Sequence, residues 1–229
     1  MRPMRQFGKN QAGFTLVEIA IVLVIIGLLL GGILKGQEMI TQAKIKNIVN
    51  DMNGMSAAIY SYQDRYRALP GDELDATTKS RWGATVGYGG DGNGVFCTGT
   101  CASPVPAYNA IPVGPDTATE PQKFWLHLRL SGFVPGPTTG AAAVQQPSNA
   151  VNGMLGVQTT GLGFTSNIIC SSNLPDKVAI AVDTQVDDGN GTTGGVRGML
   201  QTQPNESVGT TATGYQETGT NQYLLCKNL

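Results

Sequence analysis

Glu18 is the one charged residue between Gly13 and Leu34. Phe14 lies four positions before it, and an almost unbroken apolar run from Ile19 to Leu34 follows. A carboxylate in so lipid-like a segment is expensive and has to face a partner rather than hydrocarbon. No basic side chain lies within a helical turn or two of it. A cut after Gly13 would create a partner, the new α-amine of Phe14. On one helix that amine lies near Glu18, and in a bundle a neighbouring subunit's amine serves equally. The simpler alternative is a glutamate near the membrane interface that snorkels to water.

Four other groups of residues have chemical potential. Cys97-Thr98-Gly99-Thr100-Cys101 reads as a tight disulfide loop, and Cys170 with Cys226 would close a loop of more than fifty residues, worth roughly 3–4.5 kcal/mol. Four cysteines allow three connectivities, of which we favour 97–101 with 170–226. A zinc site would need closely paired ligands on both sides, and only one pair is close. Asp91-Gly92-Asn93 and Asp187-Asp188-Gly189-Asn190 resemble fragments of calcium loops. Neither has the glycine at the sixth position or the glutamate at the twelfth of an EF-hand loop. Asx turns in glycine-rich loops are the competing explanation. His127 is the single histidine, and no Ser, Cys or carboxylate stands at a spacing that would make it a triad or metal centre, so a packed or surface role is expected. Gly-x-Ser-x-Gly, phosphate-loop and His-Glu-x-x-His patterns are absent, so nothing points to an enzyme and no cofactor is implied beyond the calcium question.

The element that must position Glu18 is a helix. Phe14 to Leu34 is about 21 residues, enough to cross a bilayer core of about 30 Å. Its apolar residues are not confined to one face, as they would be on a core helix. Basic residues lie before the run (Arg2, Arg5, Lys9) and none follows until Lys35, which places the N-terminus in the cytoplasm and exports the rest. A secretory signal would have a shorter apolar region followed by an Ala-x-Ala-like site. Here the run is long, Lys35, Gln37 and Glu38 follow it, and the small residue in a suggestive place is Gly13, before the run.

Gly13-Phe14-Thr15-Leu16-Val17-Glu18, after a short basic leader and before a long apolar run, resembles the prepilin signature of type IV pilins and type II secretion pseudopilins. The resemblance covers the first quarter of the chain. It implies cleavage between Gly13 and Phe14 by an inner-membrane prepilin peptidase, N-methylation of Phe14, and a contact of Glu18 with a neighbour's N-terminus during filament assembly. It also implies a disulfide-bounded C-terminal segment. Because some pseudopilins bind calcium in a C-terminal loop, it makes Asp187, Asp188 and Asn190 candidate calcium ligands. One departure is that many pilins carry a proline within this apolar segment, whereas this chain has Gly27, Gly31, Gly32 and Gly36. Each weakens the helix by roughly 0.5–1 kcal/mol relative to Ala, softening it by another route.

Removing a leader of residues 1–13 takes three of the 15 basic residues and leaves 12 against 16 acidic ones, net −4. That balance excludes the clustered basic face of a nucleic-acid binder. The cysteines all fall in the exported part, where an oxidising compartment makes disulfides the default. Beyond the membrane the helix continues: Ile45, Ile48, Met52, Met55, Ile59, Tyr62 and Tyr66 recur at alternating spacings of three and four, one stripe along a helix, and Pro70-Gly71 ends it. The stripe is expected to pack on a downstream domain, with a coiled-coil seam as the alternative. Residues 68–123 read as loop-rich, with Tyr88 to Gly94 too glycine-rich for regular structure. Glu120 to Phe133 reads as a short helix, and residues 135–153 as an irregular link. Met154–Val157, Gly163–Cys170, Gly195–Leu200 and Asn221–Cys226 read as strands. Leu174–Val186 fits both helix and strand and leans to helix, with Pro175 suiting a first turn.

The expectation is an α+β, pilin-like chain: leader 1–13, transmembrane and filament-core helix 14–34, amphipathic continuation 35–67, and a globular domain 68–229 whose antiparallel sheet packs on the second half of the helix. The expected role is a structural subunit of a type IV pilus-like filament, with copies of itself, the prepilin peptidase and an inner-membrane assembly platform as partners. The precursor would sit as a single-pass protein in the inner membrane and end in a periplasmic or cell-surface filament. The alternatives are a type II secretion pseudopilin and, from another class, a monomeric membrane-anchored binding protein.

Overall fold

Helix α1 (Leu16–Tyr66) is the longest element of the computed structural model, which describes residues 15–97, 107–111 and 114–229. The chain divides into two units, one ending at Gln42 and the other spanning Ala43–Leu229, and α1 contributes to both. In the first unit the helix carries large apolar side chains exposed on all sides, from Leu16 through Leu34. Leu and Ile dominate and no proline interrupts the segment. It runs helical through Gly27, Gly31, Gly32 and Gly36, each with open space where a Cβ would stand.

In the second unit the expected stripe is the buried face of α1: Ile45, Ile48, Met52, Met55, Ile59 and Tyr62 are all buried. Short helices α2 (Asp75–Trp82) and α3 (Glu120–Leu130) follow. A 3-10 turn (Ala141–Val144) leads to strands β1 (Leu155–Gly161) and β2 (Phe164–Pro175). Helix α4 (Asp176–Val186) and strands β3 (Val196–Gln201) and β4 (Gln222–Asn228) complete the order. The four strands form one antiparallel sheet in the order β1-β2-β4-β3. The chain is thus α+β, a long N-terminal helix with an antiparallel sheet, in a pilin-like layout.

The register decides what each sheet face meets. Leu155, Val157 and Ile169 pack with Met55, Ile59 and Tyr62 of α1 and with Phe124, Trp125 and Leu128 of α3. Val196, Tyr223 and Leu225 pack with Ile45, Ile48 and Met52 and with Val178 and Val182 of α4. Alternate residues Ile168, Cys170, Leu224, Cys226 and Met199 point the other way, onto Tyr108 and Leu162. Because both faces are covered, the strands bury residues almost continuously instead of alternating in and out.

Two expectations change. Residues 68–123 are not loop throughout, since α2 lies inside them. The Tyr88–Gly94 stretch is irregular but held: Gly90 bridges Leu74, and added Cβ atoms at Gly87 and Gly89 would run into backbone of Thr78, Glu73 and Asp75. Its glycines let one chain segment lie flat on another. The ambiguous Leu174–Val186 divides at Pro175: β2 extends to it and α4 begins at Asp176, with Val178, Ala179 and Val182 inward at helical spacing.

Candidate functional site: the capped N-terminal helix

The first turn of α1 is closed by two side chains. Glu18 Oε2 accepts the Thr15 backbone N–H at 2.7 Å and the Thr15 hydroxyl at 2.7 Å, while the Glu18 N–H donates to Thr15 Oγ1 at 3.3 Å. Thr15-Leu16-Val17-Glu18 is therefore a capping box, in which the N-cap hydroxyl and the N3 carboxylate satisfy each other's otherwise orphaned amides. The Thr15-x-x-Glu18 pattern is readable in the sequence as a capping box. Gly13 and Phe14, the expected processing residues, lie outside the described residues. The segment that follows Glu18 is long and apolar enough to cross a membrane, and its side chains are exposed, with Leu28 at 74%.

Cys170 and Cys226 stand opposite each other on β2 and β4 and form a disulfide, Cα to Cα 4.1 Å. Both are fully buried. The bond fastens the C-terminal strand to the middle of the sheet. Cys97 is buried, and its expected partner Cys101 lies outside the described residues.

His127 is packed. It is fully buried on α3, with Nδ1 accepting the Gly71 N–H at 2.8 Å and Nε2 at 2.8 Å from the Tyr88 carbonyl oxygen, to which it donates. Burial pushes its pKa down to about 4, so the ring is neutral at pH 7. Beside it lies a part-buried ion pair that sequence reasoning missed. Arg81 donates to both oxygens of Glu73, at 2.8 and 2.6 Å, and the Tyr62 hydroxyl donates to Glu73 Oε2 at 2.6 Å. Burial alone would raise the Glu73 pKa, but the Arg81 and Tyr62 hydrogen bonds outweigh it and hold it below the ordinary carboxylate range. Arg81 also lies over the Tyr66 ring, 4.1 Å from its centroid. Among the described residues no serine, threonine or cysteine side chain bonds the His127 ring, and the arrangement locks the end of α1 to α2 and α3.

The structure brings Asp183, Asp187 and Asp188 together, whereas Asn190 serves the adjoining turn. Asp187 Oδ2 accepts the Val196 N–H, and Asp188 accepts the Asn190 N–H and the Thr193 hydroxyl. Asn190 Oδ1 accepts from Thr192. The Asp188–Asn190 and Asn190–Thr192 bonds are Asx turns, and the Asp187–Val196 and Asp188–Thr193 bonds close the loop over a longer span. A second acidic group joins Asp91 to Asp72 and Glu120; sequence reasoning noted Asp91 but not the other two. The available signal was Asp72 following the Pro70-Gly71 turn and Glu120 opening a helix, two positions that only the fold makes neighbours.

No curated protein and no solved structure matches the chain. Residues 8–34 match the family model of the prokaryotic N-terminal methylation motif. This motif points to a structural subunit rather than an enzyme. It is the signature of type IV pilins and pseudopilins, and together with the long helix and antiparallel sheet it supports a type IV pilin- or pseudopilin-like protein.

Proposed function

We propose that this chain is a structural subunit of a type IV pilus-like filament. A prepilin peptidase cuts after Gly13, Phe14 becomes the methylated N-terminus, and the precursor waits in the inner membrane with its leader in the cytoplasm. An assembly platform then moves the helix from lipid into a bundle of its own copies. The observation that carries this reading is the methylation motif at 8–34 on a helix whose apolar residues are exposed all round. Such a surface needs lipid before assembly and neighbouring helices after it. Gly27 with Gly31, and Gly32 with Gly36, are four residues apart and open, and small residues at that spacing let helices approach closely. Glu18 then has two uses in turn: it caps its own helix in the lone subunit and meets a neighbour's N-terminal amine in the filament.

Mass spectrometry of the mature protein, paired with imaging of surface fibres, tests the reading. The expected result is an N-terminus at Phe14 carrying one methyl group, and fibres containing this chain. An uncut leader on a protein that stays monomeric after gentle detergent extraction would overturn it in favour of a membrane-anchored binding protein. Correct processing with only short periplasmic filaments would assign the chain to a secretion pseudopilus.

A further inference from the structure

Three carboxylates converge within the second unit. Asp72 lies in the turn after α1, Asp91 in the glycine-rich loop, and Glu120 at the first position of α3. One oxygen from each lies within 4.8 Å of the other two. Asp72 and Glu120 are almost completely buried, at 3% and 2% exposure. Neither forms an ion pair among the described residues. Lys123, one turn along α3, sends its Nζ to the Gly89 carbonyl oxygen at 2.7 Å instead.

The loop is wrapped around these groups by backbone donors. Asp72 Oδ1 accepts the Asn93 N–H at 2.9 Å and Oδ2 the Gly94 N–H at 2.8 Å. Glu120 Oε1 accepts the Asp91 N–H at 3.2 Å. A Cβ on Gly90 would stand 2.5 Å from Glu120 Oε1, so the loop is pressed onto the carboxylate. Glu120 Oε2, however, is buried with no hydrogen-bond partner among the described residues. A buried carboxylate oxygen left unpaired beside a second buried carboxylate is a costly arrangement.

A hard divalent cation removes that cost. Calcium takes six to eight oxygen ligands at about 2.3–2.6 Å in flexible geometry, so three carboxylate oxygens that lie mutually within 4.8 Å can share one ion. Magnesium demands near-octahedral geometry and keeps several of its waters, which two almost completely buried carboxylates accommodate less well. We propose that Asp72, Asp91 and Glu120 form a calcium site that ties the end of α1, the glycine-rich loop and the start of α3 together. The site is separate from the Asp187–Asp188 loop, whose exposed carboxylates are already engaged by turn donors.

The test uses the full chain in detergent, stripped with a chelator. Calcium chloride is titrated calorimetrically, and thermal unfolding is followed with calcium, magnesium or chelator present. The expected result is one bound calcium and a melting temperature about 5 °C higher at saturating calcium, with a smaller shift for magnesium. Glu120→Gln should abolish both binding and shift while melting no lower than wild type in chelator, because it removes like-charge repulsion. Asp188→Asn should keep both. The proposal is overturned by a wild-type chain that binds no calcium at millimolar concentration, by an equal magnesium shift, by a Glu120→Gln chain that still responds, or by loss of the response in Asp188→Asn.

Discussion

Glu18 and Thr15 hold each other across the first turn of α1: the carboxylate takes the Thr15 N–H and hydroxyl, and the Glu18 N–H returns to Thr15 Oγ1. The single acidic residue of the apolar segment therefore has a local partner before any filament exists. Local capping and the proposed intersubunit pairing are different demands on one side chain, and substitutions can separate them.

Glutamine also serves at the third position of a capping box, but it carries no charge. Glu18→Gln should therefore keep membrane insertion and helix content while losing filaments, and Glu18→Ala should lose filaments as well. Thr15→Ala, which keeps the charge and removes the hydroxyl, should still assemble. Counting fibres by electron microscopy against the amount of processed subunit in membranes checks this. Normal fibres from Glu18→Gln would show that Glu18 acts as a cap and not as an ion-pairing group.

The neutral, buried His127 makes the second unit, Ala43–Leu229, sensitive to acid. Its pKa falls from 6.5 to about 4 on folding, so between those values the unfolded chain binds the proton and the folded one does not. Stability is then complete above about pH 6.5 and is lost as pH falls toward 4, by about 3 kcal/mol if the whole shift is expressed. The surrounding charged and titratable groups are Tyr62 from α1, Glu73, Arg81 from α2 and Lys123 on α3 itself. Glu120 has the opposite sign: its raised pKa, about 7 against 4.5, makes the calcium-free protein lose stability as pH rises through that window. Urea midpoints at pH 4.5, 5.5 and 6.5 in chelator should rise less steeply in His127→Gln and more steeply in Glu120→Gln. Parallel curves for all three proteins would refute both assignments.

The Cys170–Cys226 disulfide joins directly opposed residues that are 56 apart in sequence. Replacing both by alanine should cost roughly 3–4.5 kcal/mol, mostly through the freed unfolded chain, and lower the melting temperature by about 10 °C. A reductant should produce at least that loss in wild type once the chain opens, and a smaller one in the double variant, which keeps Cys97 and its expected partner Cys101. A drop of only a degree or two in the calorimeter would mean that the strand pairing holds β4 without the bond.

The long helix was legible because its signals are dense and local: a bilayer-length apolar run, then a stripe at three-four spacing from Ile45 to Tyr62. The strands were legible in position but not in face, because Ile168 and Cys170 turn toward Tyr108 while Ile169 turns toward α1. Helix α2 was hidden by its composition; Asp75-Ala-Thr-Thr-Lys-Ser-Arg-Trp82 has almost no apolar stripe, and it is held by the Glu73–Arg81 ion pair and by Thr78 bonding to the Gly87 carbonyl oxygen. The methylation motif was readable from six residues. The convergence of Asp72, Asp91 and Glu120 was not, because it depends on three loops meeting.

Two glycines of similar standing in the sequence should respond to alanine in opposite directions. Gly71 has φ +90, and a Cβ there would meet the Glu120 carbonyl oxygen at 2.5 Å and Phe124 N at 2.7 Å. Those are backbone atoms of α3 that cannot rotate away, and the Gly71 N–H is the donor to His127. Gly71→Ala should therefore destabilise by at least about 2 kcal/mol. Gly54 lies mid-helix on the exposed side of α1 with nothing within 4 Å. Gly54→Ala should stabilise by about 0.5–1 kcal/mol, by lowering the entropy of the unfolded chain. Chemical denaturation of the two variants beside wild type gives both signs in one experiment. A tolerated Gly71→Ala would mean that the turn after α1 can shift away from α3. Tyr62, Glu73 and His127 could not then be held at the distances given above, so the acid sensitivity assigned to His127 would fall with it.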